Sequence, residues 1–345
     1  MSASLSRPPS MARRLLRLSG KLLKWGTVAC VVLLAAVAAY ARVLHRRDAA
    51  RWKAPGRVIE LADGRKMHIY CTGAGTPTTI LEAGLGDFSI SSWSTVQPDL
   101  AKITRTCSYD RAGTGWSDPP AGPPTANGIV EDLHALLGKS GEPGPYLMVG
   151  HSLGGPLVRH YAVHYPAEVA GLVLVDGSHE EQLERLKGMP AWVDLLYKAI
   201  PTIHFLGIDR VASQAGVTDT ISALGVALTT TDKAMHNTVA LAKTLPAFMA
   251  EVKRDVRDFG ALPLVALTAG KMEVPGVEPA TAKAMHDEWV RMHQEIVARS
   301  SRGQWILAER STHYIQRDQP ELVIGAVRDM VDTLRSIPAA PHGAR

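Results

Sequence analysis

Cysteine is scarce in this chain, with three in 345 residues. Cys30, Cys71 and Cys107 stand at no spacing that a metal site uses, so no metal is expected. Internal repeats and low-complexity tracts are missing, which excludes solenoids and disordered arrays. Acidic residues are nearly missing from residues 1–53, where Asp48 alone stands against eleven Lys or Arg. The remainder therefore holds 27 bases and 32 acids, a net charge of −5, although the whole chain is +5. The basic character belongs to an N-terminal arm, and a nucleic-acid-binding body, which needs a basic face, is not expected.

Long apolar runs are also few. The exception is "WGTVACVVLLAAVAAYA", Trp25–Ala41, uncharged and flanked by basic clusters. Seventeen residues are near the lower limit for a helix that crosses a bilayer. Ala39-Tyr40-Ala41 offers a signal-peptidase-like site, but the basic leader exceeds twenty residues and the run is long for a signal core. The reading is a basic leader over 1–24, a retained single-pass anchor over 25–44, with a cleaved signal as the alternative, and a polar linker over 45–56. The N-terminus is expected in the cytoplasm and the body outside.

Beyond Pro55-Gly56 strands and helices alternate. "RVIEL" and "KMHIYC" flank Asp63-Gly64, a hairpin signal. "TTILEA", "TRTCSYD", "YLMVG" and "GLVLVD" read as further strands, with helices in "ANGIVEDLHALLGKSG" and "LGGPLVRHYAVHYP". From 178 to 260 the rhythm breaks into helical stretches such as "HEEQLERL" and "FMAEVKRDVRDF". It resumes with "LPLVALTAG", a helix over 279–299, "QWILAE" and a last helix over 320–336. Strands joined by crossover helices imply a mostly parallel sheet covered on both faces.

"MVGHSLGG" holds Gly150-His151-Ser152-Leu153-Gly154, a G-x-S-x-G pattern. In a chain with 30 glycines the pentapeptide alone decides little. Its context decides more, because Ser152 follows an apolar strand and precedes a helix, as a nucleophile elbow requires. A serine hydroxyl needs a base, and His313, on the loop after "QWILAE", is the candidate. His151, adjacent to Ser152, reads as packing. An oxyanion needs two preorganised N–H donors, for which Leu153 and Leu85, in "EAGLGD", are the candidates. The orienting acid is open between Asp176, at the end of "GLVLVD", and Glu273, in "TAGKMEVPG". The shorter side chain at a rigid strand end favours Asp176.

"LEAGLGD", "YDRAGTGWSD", "VGHSLGG", "GLVLVD" and "THYIQRDQPE" together resemble the α/β-hydrolase superfamily, in its lid-bearing branch of esterases and haloperoxidase-like enzymes. The resemblance spans about residues 57–336. It implies an eight-stranded, mostly parallel sheet, with core segments 57–177 and 261–337, a helical lid over 178–260 and a short tail over 338–345. Ala112 stands inserted in the loop that resembles the family's aspartate–arginine–glycine turn, and Ala83 replaces a histidine common before the oxyanion glycine. The implied sheet order makes the second and fourth strands neighbours, which would let Cys71 and Cys107 pair. The implied activity is hydrolysis of an ester or related acyl substrate through an acyl-enzyme, without a cofactor. Transfer to an alcohol, or a non-catalytic ligand-binding role, are the alternatives. A dehalogenase or epoxide hydrolase would need a carboxylate where Ser152 stands.

Overall fold

A computed structural model of the chain describes residues 11–187, 191–255, 257–272 and 274–336. The expected tail over 338–345 and the first ten residues of the leader lie outside the described residues. Eight strands form one sheet: β1 (Arg57–Glu60), β2 (Lys66–Thr72), β3 (Thr78–Glu82), β4 (Thr106–Tyr109), β5 (Tyr146–His151), β6 (Val169–Val175), β7 (Leu264–Ala269) and β8 (Gly303–Ala308). Their order is β1-β2-β4-β3-β5-β6-β7-β8. The β1–β2 and β2–β4 pairs are antiparallel and all the others parallel. Each strand expected from the sequence is present.

The helices are α1 (Met11–Arg51), α2 (Ser89–Trp93), α3 (Gln97–Leu100), α4 (Ala126–Ser140), α5 (Gly154–His164), α6 (Gln182–Arg185), α7 (Ala191–Phe205), α8 (Ile208–Ala212), α9 (Thr220–Thr229), α10 (Asp232–Asp255), α11 (Pro279–Ala298), α12 (Ile315–Asp318) and α13 (Pro320–Ser336). The strands β3, β5 and β7 are buried along their whole length. Side chains alternate across such strands, so each strand feeds two cores. Met148 of β5 with Leu172 and Leu174 of β6 face α4, α5 and α10, where Leu136, Leu157, Tyr161 and Phe248 pack. Leu147, Val149 and Val173 face the other side, against Leu100 of α3 and Val323 and Val327 of α13.

Between β6 and β7 the helical elements α6 to α10 replace the strand–helix rhythm. "HEEQLERL" contributes only the single turn of α6, and α10 stops at Asp255. Cys71 and Cys107 are directly opposite in the β2–β4 register and form a disulfide, while Cys30 is exposed on α1. The stretch read as a linker over 45–56 is different. α1 continues through Arg51, and only 52–56 is irregular. The sequence places no Gly or Pro between Gly26 and Pro55, and Arg210 of α8 pairs with Asp48, which holds the extension in place.

Leu18–Arg51 of α1 is a helix long and apolar enough to cross a membrane, and little of its most apolar window is covered by the rest of the chain. The loops that follow β3, β5, β6 and β8 emerge from the carboxyl ends of a parallel sheet, where open α/β sheets place their sites.

Candidate active site

Ser152 follows the last residue of β5 and has φ of 52°, in the left-handed region that a side chain rarely adopts. The turn is held from three directions. The Ser152 N–H donates to the Val175 carbonyl at 3.2 Å, and its own carbonyl accepts from Gly155 at 2.9 Å and Ser178 at 2.8 Å. The two glycines of the pentapeptide follow from this crowding: a Cβ on Gly150 would lie 2.3 Å from the Gly154 carbonyl oxygen, and one on Gly154 would lie 2.5 Å from that of Glu82. α5 begins at Gly154, so its N-terminal dipole favours negative charge beside Ser152.

Asp176 follows β6 directly and also has a positive φ, 45°. Its Oδ2 accepts a hydrogen bond from His313 Nδ1 at 2.6 Å. Its Oδ1 accepts from the Ala269 N–H at 2.9 Å and from Trp289 Nε1 at 2.8 Å. Burial pushes this carboxyl's pKa up, but the His313 hydrogen bond and charge, the nearby His293 and the Ala269 N–H outweigh it, and the net shift is downward. Asp176 is therefore a fixed anion with three donors, and His313 is half exposed at the cavity wall. Glu273, the alternative acid, lies outside the described residues.

His151 does more than pack. Its Nε2 lies 3.0 Å from the His313 carbonyl oxygen, which makes it the donor. Burial, with the His313 charge adding, lowers its pKa to about 3, so the ring is neutral and fixes the loop that carries His313. A second buried ring, His293, bridges Thr268 Oγ1 at 2.6 Å and the Gly177 carbonyl at 2.7 Å. It ties the ends of β6 and β7 together beside Asp176.

The loop after β3 carries Leu85, and the turn after β5 carries Leu153. Among the described residues, no turn or loop hydrogen bond engages the N–H of either. The loop "YDRAGTGWSD" supplies its support. Buried Arg111 donates to the Glu82 carboxylate, to the Ala83 carbonyl at 2.6 Å and to the Gly84 carbonyl. Asp110, of the same loop, accepts from the N–H groups of Ser89 at 2.9 Å and Trp116 at 3.0 Å. Asp87 lies nearby, and its burial raises its pKa against the pull of Arg317, Arg111 and His313.

Ser152, Asp176 and His313 line one cavity of about 830 Å³, whose walls include Leu183, Leu186, Tyr197, Met272, Met285 and Trp289. Trp289, Ala269 and His293, which hold Asp176 and its surroundings, escaped the sequence reading. They lie 93 to 117 residues beyond Asp176, and nothing local to them signals the contact.

Residues 77–208 match the family model described as the alpha/beta hydrolase fold. The chain has the α/β-hydrolase fold. The chain is 25% identical to YqjL of Bacillus subtilis over 276 residues, covering 78% of this chain and 89% of that one. It is 31% identical to a 2-hydroxy-6-oxo-2,4-heptadienoate hydrolase of Pseudomonas putida over 123 residues, covering 35% of this chain and 44% of that enzyme. The structure of a probable hydrolytic enzyme from Pseudomonas aeruginosa PAO1 superposes with a TM-score of 0.61 at 20% identity, covering 81% of this chain and 95% of that one. Together they support a hydrolytic enzyme.

Proposed function

We propose that this α/β hydrolase is a serine hydrolase, anchored to a membrane by α1, that cleaves a carboxylic ester or related acyl substrate. The observation that carries the reading is the pair of Asp176 and His313, 2.6 Å apart, in the wall of the cavity that Ser152 also lines. In this reading His313 takes the Ser152 proton through Nε2, since Nδ1 is committed to Asp176. Ser152 Oγ attacks the acyl carbon, and Asp176 stabilises the imidazolium that forms. The N–H groups of Leu85 and Leu153 receive the oxyanion, and His313 returns the proton to the leaving alcohol. Water, deprotonated by the same ring, then releases the acid and frees Ser152. The disulfide favours an oxidising compartment for the body, which agrees with a cytoplasmic N-terminus and an exported domain.

A fluorophosphonate probe tests the reading on the full-length protein. Wild type is expected to label, and Ser152→Ala and His313→Ala are expected not to. Asp176→Asn is expected to lower ester turnover by roughly 10²–10⁴-fold, with a much smaller effect for Glu273→Gln. Undiminished labelling of Ser152→Ala would overturn the nucleophile, and a larger loss in Glu273→Gln would reassign the acid.

A further inference from the structure

The point at which α1 leaves its apolar stretch is built into the helical insertion. Ala38 and Ala41 press against Gly207, where a Cβ would lie 2.5 Å from that of Ala41 and 3.3 Å from the Ala38 Cα. Further along α1, Asp48 accepts a hydrogen bond from Arg210, a side chain only 3% exposed. The insertion is therefore fastened to the helix at the level where "AAYA" gives way to Arg42, Arg46 and Arg47, all exposed.

The helix α7 runs from that junction to the reaction cavity. At its C-terminal end Phe205 is 73% exposed and lines a cleft together with Ala38, Ala41 and Arg42. Toward its N-terminus Trp192, Leu195 and Leu196 are exposed, at the i, i+3, i+4 spacing of one helix face. Tyr197, of the same helix, lines the cavity that holds Ser152. One helix thus has an end beside the exit of a membrane-length helix, an apolar face open to solvent, and a side chain in the cavity wall. An apolar face with aromatic residues, next to exposed arginines, is the pattern of a helix seated at a bilayer surface.

We propose that α7 rests on the bilayer that α1 enters, and that the site takes its substrate from that bilayer, as a membrane-resident ester with a long acyl chain. The inference rests on the serine-hydrolase reading and deepens it. Leu183, Leu186, Met272 and Met285 supply the apolar wall that a long acyl chain requires. The exposed arginines favour vesicles that carry anionic lipid.

The test uses the full chain reconstituted in phosphatidylcholine vesicles with and without phosphatidylglycerol. Two substrates are compared, a water-soluble short-chain ester and a fluorogenic long-chain ester held in the bilayer. Leu195→Glu combined with Leu196→Glu is expected to keep soluble-ester turnover within about twofold while losing about tenfold or more on the bilayer ester. Equal effects on both substrates would overturn the proposal. So would a double variant that leaves bilayer turnover unchanged and converts a dimer to a monomer, because α7 would then be covered by a second copy. A fluorophore on Leu195→Cys, in a Cys30→Ser background, reports seating independently of catalysis. Quenching by spin-labelled lipid is expected, and its absence overturns the proposal even in an active enzyme. Fluorophosphonate labelling independent of Ser152, with quenching intact, would instead show that the hydrolase reading had failed.

Discussion

Arg111 directs one guanidinium at the Glu82 carboxylate and at two successive carbonyls, those of Ala83 and Gly84. Glu82 is fully buried, and burial pushes its pKa up while Arg111 and Tyr109 pull it down. The planes of two peptides just before Leu85 are thereby fixed, which is the condition for a preorganised oxyanion donor. Lysine keeps the charge and loses the fork. Arg111→Lys is therefore expected to lower kcat by about 10–100-fold on a soluble ester, with KM little changed. An effect confined to KM would mean that the loop shapes substrate binding and not the donor. Arg111→Ala is less informative, because stranding a buried carboxylate costs about 3–5 kcal/mol in stability. At this scale the sequence was readable where chemistry is local. The place of Ser152 on a strand-to-helix turn was legible from its neighbours, and that of Asp176 from the strand it follows. The donors that hold Asp176 were not readable, since Ala269 and Trp289 meet it only through the packing of β7 and α11.

The disulfide joins two antiparallel neighbours, β2 and β4, across a sequence separation of 36 residues. Closing a loop of that length removes chain entropy from the unfolded state, by about 3–4 kcal/mol in the chain-entropy model. Cys71→Ser with Cys107→Ser is expected to lower stability by about that amount, read by thermal or denaturant unfolding in detergent. Ser152 labelling should persist at low temperature, because the site is built on β3, β5, β6 and β8. Loss of labelling in a folded protein would contradict that division. Strand existence was legible at this scale because parallel strands buried on both faces read as continuous apolar runs. The C-terminal turns of α1 were not, for their polar residues look like a linker until Arg210, 162 residues away, supplies a partner for Asp48. "HEEQLERL" erred in the other direction. Its periodicity suits a helix, yet Glu181 and Arg185 join ion pairs with Lys253, Glu288 and Glu295, and only one helical turn forms.

Across the whole molecule, buried histidines set the response to acid. Burial lowers the pKa of His151 to about 3 and of His160 and His179 to about 4, and it lowers that of His293 as well. An unfolded histidine binds its proton near pH 6.5. Between roughly pH 6.5 and 4 the unfolded chain therefore holds more protons than the native one, and stability falls as pH falls, by up to about 1.4 kcal/mol per pH unit for each histidine. The carboxylates continue the trend at lower pH. Asp110, Asp176 and Glu180, all buried, have native pKa values below the usual range, after their donors and cationic neighbours overcome burial. Their contribution is present above about pH 4 and is lost as pH drops toward the native values. Glu82 and Asp87, raised by burial, act in the opposite sense and offset part of the loss. The thermal midpoint of the full chain in detergent is thus expected to be highest near or above pH 7 and to fall steadily from pH 6.5 to 4. His160→Gln, whose amide can still meet Asn127, is expected to flatten that slope by one histidine's share and to leave turnover unchanged. A midpoint that stays level from pH 7.5 to 5 would show that these rings accept protons in the native state, and the burial argument would fall with it.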